Sequence, residues 1–167
     1  MKLASSKYQD IEYEKGEDIY LSPEEADTSF WFDVESDLTE DDEAMTNVAV
    51  ALDELDAYEE AAKRFLKKTL EDEESEFYET VSFFMEFHRD DVDPDTAREL
   101  FPVDDPSTLT FIEMVDYLKI DRFGSLVNEN SQQAFIMDLC FNKDVTDELL
   151  VIYFDLDRQI YDIAHES

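Results

Sequence analysis

From Phe135 onward the chain changes its rhythm, and that change limits the available folds more than any other feature. Phe135, Met137, Leu139 and Phe141 alternate with Ile136, Asp138 and Cys140, the two-residue period of a β-strand. Leu149 to Phe154 is an unbroken apolar run, and Ile160 to Ala164 follows across the short link Asp155-Leu156-Asp157-Arg158. Links that short join antiparallel neighbours, because a parallel crossover needs a dozen residues or more. Asp121 to Val127 is a fourth candidate, so the C-terminal third reads as a three- or four-stranded antiparallel meander.

Upstream the period is helical. Thr39 is a candidate N-cap, and Glu40, Asp41, Asp42 and Glu43 follow where a helix N-terminus favours negative charge. Val48, Leu52, Leu55, Ala62, Phe65, Leu66 and Leu70 recur at three- and four-residue steps. A break is expected between Asp53 and Asp56, because Asp56 with Glu59 repeats a capping-box pattern. Lys63, Arg64, Lys67 and Lys68 gather near the end of the second helix, where cations are favoured. Ser75 reads as the cap of a third helix carrying Phe77, Val81, Phe84 and His88. Asp93-Pro94 opens a short helix through Leu100, and Thr110 with Glu113 opens another with Phe111, Met114, Val115 and Leu118 inward.

At the N-terminus, Lys7 to Lys15 alternates like a half-exposed strand, with Ile11 and Tyr13 on one face. Thr28 to Glu35 reads as a second strand, with Phe30, Phe32 and Val34 opposite Trp31 and Asp33. Gly16 to Asp27, between them, reads as a loop. Strands, then helices, then strands give an α+β class: an antiparallel sheet, made of an N-terminal strand pair and the C-terminal meander, packed against a central group of helices. One domain spans residues 1–167, with N-terminal strands in 1–38, helices in 39–119 and antiparallel strands in 120–167.

Charge narrows the function. The 46 acidic residues against 13 basic ones leave a net charge of −33, yet 43% of the chain is hydrophobic, which is too much for a disordered acidic tail. Nucleic acid and anionic lipid repel such a surface, so the expected partner is a basic protein, with no nucleic acid and no membrane. The folded area should be about 8,600 Å², or about 260 Å² per net charge, against about 110 Å² for duplex DNA treated as a cylinder. Mimicry of DNA would therefore need the carboxylates gathered on one face. A first segment without an apolar stretch and a single Cys140 suit the cytoplasm, with a reduced thiol and no disulfide.

Chemistry-bearing patterns are sparse. Two glycines build no phosphate loop, and two histidines with one cysteine build no metal site, so no cofactor, metal or catalytic residue is expected. Asp91, Asp93 and Asp95 imitate the start of a calcium loop, but Thr96 stands at the glycine position and Pro102 at the glutamate position. Asp155 and Asp157 imitate another, with Ile160 where glycine is needed. His88 falls on an apolar helix side and Cys140 among apolar neighbours, both structural settings. The densest acidic groups are candidate docking sites for a cationic partner: Glu71, Asp72, Glu73, Glu74 and Glu76, then Asp90, Asp91, Asp93 and Asp95. Such runs are more often solvated faces.

Three segments carry a family resemblance: Phe87-His88 before an acidic turn; the run Thr146-Asp147-Glu148-Leu149-Leu150-Val151-Ile152-Tyr153-Phe154-Asp155; and the ending Ile160-Tyr161-Asp162-Ile163-Ala164-His165-Glu166-Ser167. Over roughly Asp56 to Ser167 the chain resembles the uncharacterised bacterial domain-of-unknown-function family two-thousand-and-four. The chain departs from it at Arg158-Gln159, where that family tends to have glycine. The resemblance implies an α+β fold without assigned catalytic residues, and a role like that of small acidic immunity proteins beside secreted toxins. The function expected is thus a non-enzymatic acidic binding protein that neutralises or modulates a basic partner, a toxin-immunity protein in its most specific form. A DNA-mimic inhibitor of a nucleic-acid-binding protein is the alternative, and an enzyme using His88 or Cys140 the third.

Overall fold

The computed structural model describes residues 1–167. Six strands form one open sheet in chain order: β1 (Ile19–Leu21), β2 (Trp31–Val34), β3 (Lys119–Val127), β4 (Gln133–Cys140), β5 (Leu149–Phe154) and β6 (Ile160–Glu166). All neighbours are antiparallel except β2 and β3, which run parallel. All the helices but the first lie between those two strands in sequence, and they form the crossover that a parallel pair requires.

Seven α-helices accompany the sheet: α1 (Pro23–Ala26), α2 (Ser36–Thr39), α3 (Asp42–Asp53), α4 (Leu55–Leu70), α5 (Tyr78–Glu86), α6 (Pro94–Leu100) and α7 (Phe111–Val115). A π-turn, Phe87–Asp91, extends α5, and none of the helices is long and apolar enough to cross a membrane. Local signals set several boundaries. Glu54 interrupts the long apolar stripe between α3 and α4, Asp93 caps α6 ahead of Pro94, and Thr110 with Glu113 closes a capping box on α7.

Five expectations fail. The sheet is mixed where an antiparallel one is expected, because the long helical crossover brings β3 alongside β2 in the same direction. The other four fail for local reasons. Lys7 to Lys15 is not a strand, and Tyr13 N–H and Leu3 N–H instead bond back to Met1 and Ile11 carbonyls around one bridge, Lys2 to Glu12. The Asp53 carboxylate pins the start of this segment by accepting from Ser5 Oγ and from the Ser6 and Lys7 N–H groups. Burial opposes that ionised carboxylate, but these bonds win and hold its pKa at about 2. Gly16 to Asp27 is more than a loop, because it contains β1 and then α1, whose Ser22 and Glu25 make a capping box ahead of Pro23. Thr39 does not cap α3. It ends α2, fully buried, accepting from Gly16 N–H and facing the Glu17 carbonyl, while Asp41 accepts from Glu43 and Ala44 N–H. Ser75 does not cap α5 either, since its carbonyl accepts from Tyr78 N–H in the turn before the helix.

One core of 35 buried residues lies between helices and sheet. Phe32, Phe123, Phe135, Met137, Leu150, Ile152 and Phe154 enter it from the sheet, and Leu52, Leu66, Val81, Phe84 and Met114 from the helices. Tyr58 on α4 meets the Phe123, Phe135 and Phe154 rings edge-on, with centroids 5.0–5.6 Å away. Each fully buried phenylalanine contributes about 2–3 kcal/mol by its removal from water. Strand side chains alternate, so Asp33, Arg122, Gly124, Ile136, Asp138, Val151 and Tyr153 point to the other side of the sheet. None of these belongs to the core cluster, to which α2 to α7 all contribute and α1 does not.

Candidate functional site

The face turned away from the helices holds a charged group within an apolar field. Register places Arg122 beside Asp138 across β3–β4, and Asp33 beside Gly124 across β2–β3. Arg122 Nε stands 3.4 Å from Asp138 Oδ2, and Arg122 Nη1 stands 3.6 Å from Asp33 Oδ2. These are ion pairs at long range. Asp33 Oδ1, Arg122 Nε and Asp138 Oδ1 are buried without any hydrogen-bond partner. One guanidinium between two carboxylates leaves an uncompensated negative charge, in surroundings where charge is costly.

The titration behaviour follows from that geometry. Burial pushes the Asp138 carboxyl up to about 6; Arg122 pulls it down, and Asp121, Asp33 and Glu166 push it up again. Asp33 moves in the same direction for the same leading reason, with Arg122 opposing and Glu35 and Asp18 adding to it. Gly124 makes room for this arrangement, because a Cβ there would lie 2.0 Å from Asp33 Oδ1 and 2.5 Å from the Asp33 carbonyl oxygen. Around the triad stand aromatic residues. Tyr20 and Trp31 pair at 5.4 Å and are 67% and 36% exposed, and Tyr153 pairs with the exposed Tyr161 at 6.0 Å.

The acidic groups expected from the sequence are placed as follows. Glu71, Asp72, Glu73, Glu74 and Glu76 are all exposed in the turn between α4 and α5. Asp72 accepts from Glu74 N–H, which shapes the turn. Lys67, in the last turn of α4, pairs with Asp116 on another element at 2.7 Å. Asp90, Asp91, Asp93 and Asp95 lie beyond the opposite end of α5, so the structure separates the two groups by the helix length of about 13 Å. Three of this second group have local work. Asp90 pairs with Arg89, whose hydrogen bond lowers its pKa; Asp93 caps α6, held low by the Thr96 N–H; and Asp95 pairs with Arg98. Only Asp91 among them is exposed without such a role.

Other chemistry-bearing residues have structural settings. His88 is fully buried, with Nδ1 2.8 Å from the Phe84 carbonyl and Nε2 3.0 Å from Thr146 Oγ1. This fits the tautomer in which Nδ1–H donates to the carbonyl and Nε2 accepts from the hydroxyl, and burial lowers the pKa of the ring. The Cys140 thiol borders a cleft of about 620 Å³ with Lys119, Asp121 and Lys143, but burial pushes it up to about 11, so it stays protonated. Asp155, from a calcium-like spacing, closes the β5–β6 hairpin by accepting from Asp157 and Gln159 N–H. In that hairpin Arg158 takes φ +62 without being glycine; its guanidinium lies 3.2 Å from Glu54 and over the Tyr58 ring.

The triad was not picked out from sequence. Asp33, Arg122 and Asp138 sit on three strands, and the available signal was a charged residue inside each apolar strand pattern. No family model, no curated protein and no solved structure matches this chain.

Proposed function

We propose that this chain is a non-enzymatic binding protein that neutralises or modulates a basic protein partner, with a toxin domain as that partner and an immunity role for this chain. The observation behind the proposal is unpaired charge. Eleven of the 46 acidic residues have a basic group within 4.0 Å, which leaves 35 without one. Crowding like charges destabilises the compact state, and a cationic partner would relieve that repulsion. Opposite charge also raises the rate of encounter and fixes orientation. The rim of the sheet face away from the core supplies anchors of the usual interface types, with the exposed Tyr20, Trp31 and Tyr161 and the partly buried Arg122 on or beside it. The immunity role is an analogy drawn from the sequence segments Thr146 to Asp155 and Ile160 to Ser167.

A DNA mimic is the second reading, and charge distribution favours it less. Exposed carboxylates occur on the helices, among them Glu24, Asp37, Glu43, Glu60, Glu79, Glu99 and Glu113, and also on the opposite side of the sheet at Asp162 and Glu166, and so do not concentrate on one face. The surface of 9258 Å² gives about 280 Å² per net charge, against about 110 Å² for the duplex. Co-purification with the products of adjacent genes tests the proposal. A basic protein that co-elutes, and whose activity this chain suppresses, supports it; neighbours that are neither basic nor bound refute it.

A further inference from the structure

We propose that the free edge of β6, walled by α5, receives an extended cationic segment of the basic partner as a seventh strand. This rests on the capture of a basic partner described above, and it names where and in what conformation that partner is held.

The two edges of the sheet differ. β1 is three residues long and runs straight into Ser22-Pro23, a short and blunted edge. β6 is seven residues long, contains neither proline nor lysine, and pairs only with β5. Outside that ladder, none of residues 160–167 makes a backbone–backbone hydrogen bond. The Ile163 N–H instead donates to the Oδ1 of its own neighbour Asp162 at 2.9 Å, a local bond that an incoming carbonyl can replace.

Helix α5 turns this edge into a groove. Phe84 anchors the helix beneath β6, with its ring 5.2 Å from His165, while the next ring, Phe83, is 58% exposed. Glu79, Thr80, Phe83, Ala164 and His165 line a cleft of about 440 Å³ between helix and strand. A second cleft of about 680 Å³ runs from Tyr161 and Asp162 on β6 to the β3–β4 turn, away from the free edge. No lysine or arginine lines either cleft, and His165 is engaged by Glu148 at 2.9 Å.

Strand alternation then fixes the occupant's pattern. Side chains of the added strand on the helix side meet Phe83 and are apolar. Those on the other side meet Asp162 and Glu166, which project from the face away from the helices, and are lysine or arginine. A second copy of this chain is a poor occupant, because it brings Asp162 and Glu166 against their own equivalents and two surfaces of charge −33 together.

The experiment uses a short synthetic peptide alternating lysine and valine. Its control carries N-methyl groups on every second backbone nitrogen, which removes the donors that face β6. Binding of the first peptide should slow exchange of the Ile163 amide by roughly tenfold or more, and the methylated peptide should bind roughly tenfold more weakly. Glu79→Lys with Asp162→Lys should weaken binding roughly tenfold at low salt, and Phe83→Ser should weaken it at any salt. Equal binding of the methylated peptide, or binding without protection at Ile163, overturns the edge site while leaving capture of a basic partner standing. Failure of both the peptide and basic proteins to bind removes both. Protection at Ile163 that depends only on protein concentration would make a second copy the occupant and overturn the proposal.

Discussion

Asp138→Asn removes the buried group with the most strongly raised carboxyl pKa, and its effect on stability should depend on pH in a defined direction. The Asp138 carboxyl titrates at about 6 in the fold against an ordinary 3.8, chiefly through burial, with Arg122 opposing and Asp121, Asp33 and Glu166 adding. The native state therefore holds this proton more tightly than the unfolded chain. Its stabilising contribution is complete below about pH 4 and is lost as pH rises through about 6. That difference corresponds to about 3 kcal/mol overall, of which roughly half falls between about pH 5 and about pH 7.5. His88 works in the opposite sense, because burial lowers its pKa, so its contribution is lost as pH falls through the same range. Subtracting wild type from Asp138→Asn cancels that term. Urea unfolding of both proteins at the two pH values should show the variant's relative stability to be higher at the upper pH by on the order of 1 kcal/mol, equivalent to a few degrees in Tm. A difference that is constant with pH, or larger on the acid side, refutes the picture of an uncompensated carboxylate beside Arg122.

Other outcomes follow from the same structure. Tm should rise as sodium chloride goes from low to moderate concentration, because screening relieves repulsion among 35 unpaired carboxylates; a flat or falling Tm in calorimetry would count against that repulsion. Gly124→Ala should cost on the order of 3 kcal/mol in urea unfolding, since its Cβ would collide with Asp33 side chain and backbone alike; a loss under about 0.5 kcal/mol would show the sheet can yield there. Glu71→Lys, Glu73→Lys and Glu74→Lys together should leave the circular dichroism spectrum unchanged, because all three are exposed. They should also slow association with a basic partner roughly tenfold at low salt, and an unchanged rate would exclude the α4–α5 turn from the interface.

How much of this was legible in the chain depended on whether the signal was local. The alternation through Phe135 to Phe141, the apolar run Leu149 to Phe154, the break at Glu54 and the capping box at Thr110 each lie within a few residues, and each has its counterpart in the structure. Thr39 misled because two good caps stand near one another and tertiary bonds to Gly16 and Glu17 claim the threonine, which leaves Asp41 to start the helix. Alternation in Lys7 to Lys15 finds only Met1 to Leu3 to pair with, through one bridge, while Asp53 holds Ser5 to Lys7 at its start. Exposure of the Glu71 to Glu76 turn was readable from composition. The Asp33–Arg122–Asp138 contact was not, because it depends on the parallel β2–β3 pairing across the whole helical region. The free edge at β6 likewise exists only once the strand order is known.

The most direct test of capture by charge is the association rate of this chain with a basic protein encoded beside it, measured by stopped flow across sodium chloride concentrations. Electrostatic capture predicts a rate that falls by roughly tenfold or more between about 20 mM and about 200 mM salt, with dissociation changing far less. A rate indifferent to salt, or no complex with any basic neighbour, would contradict it.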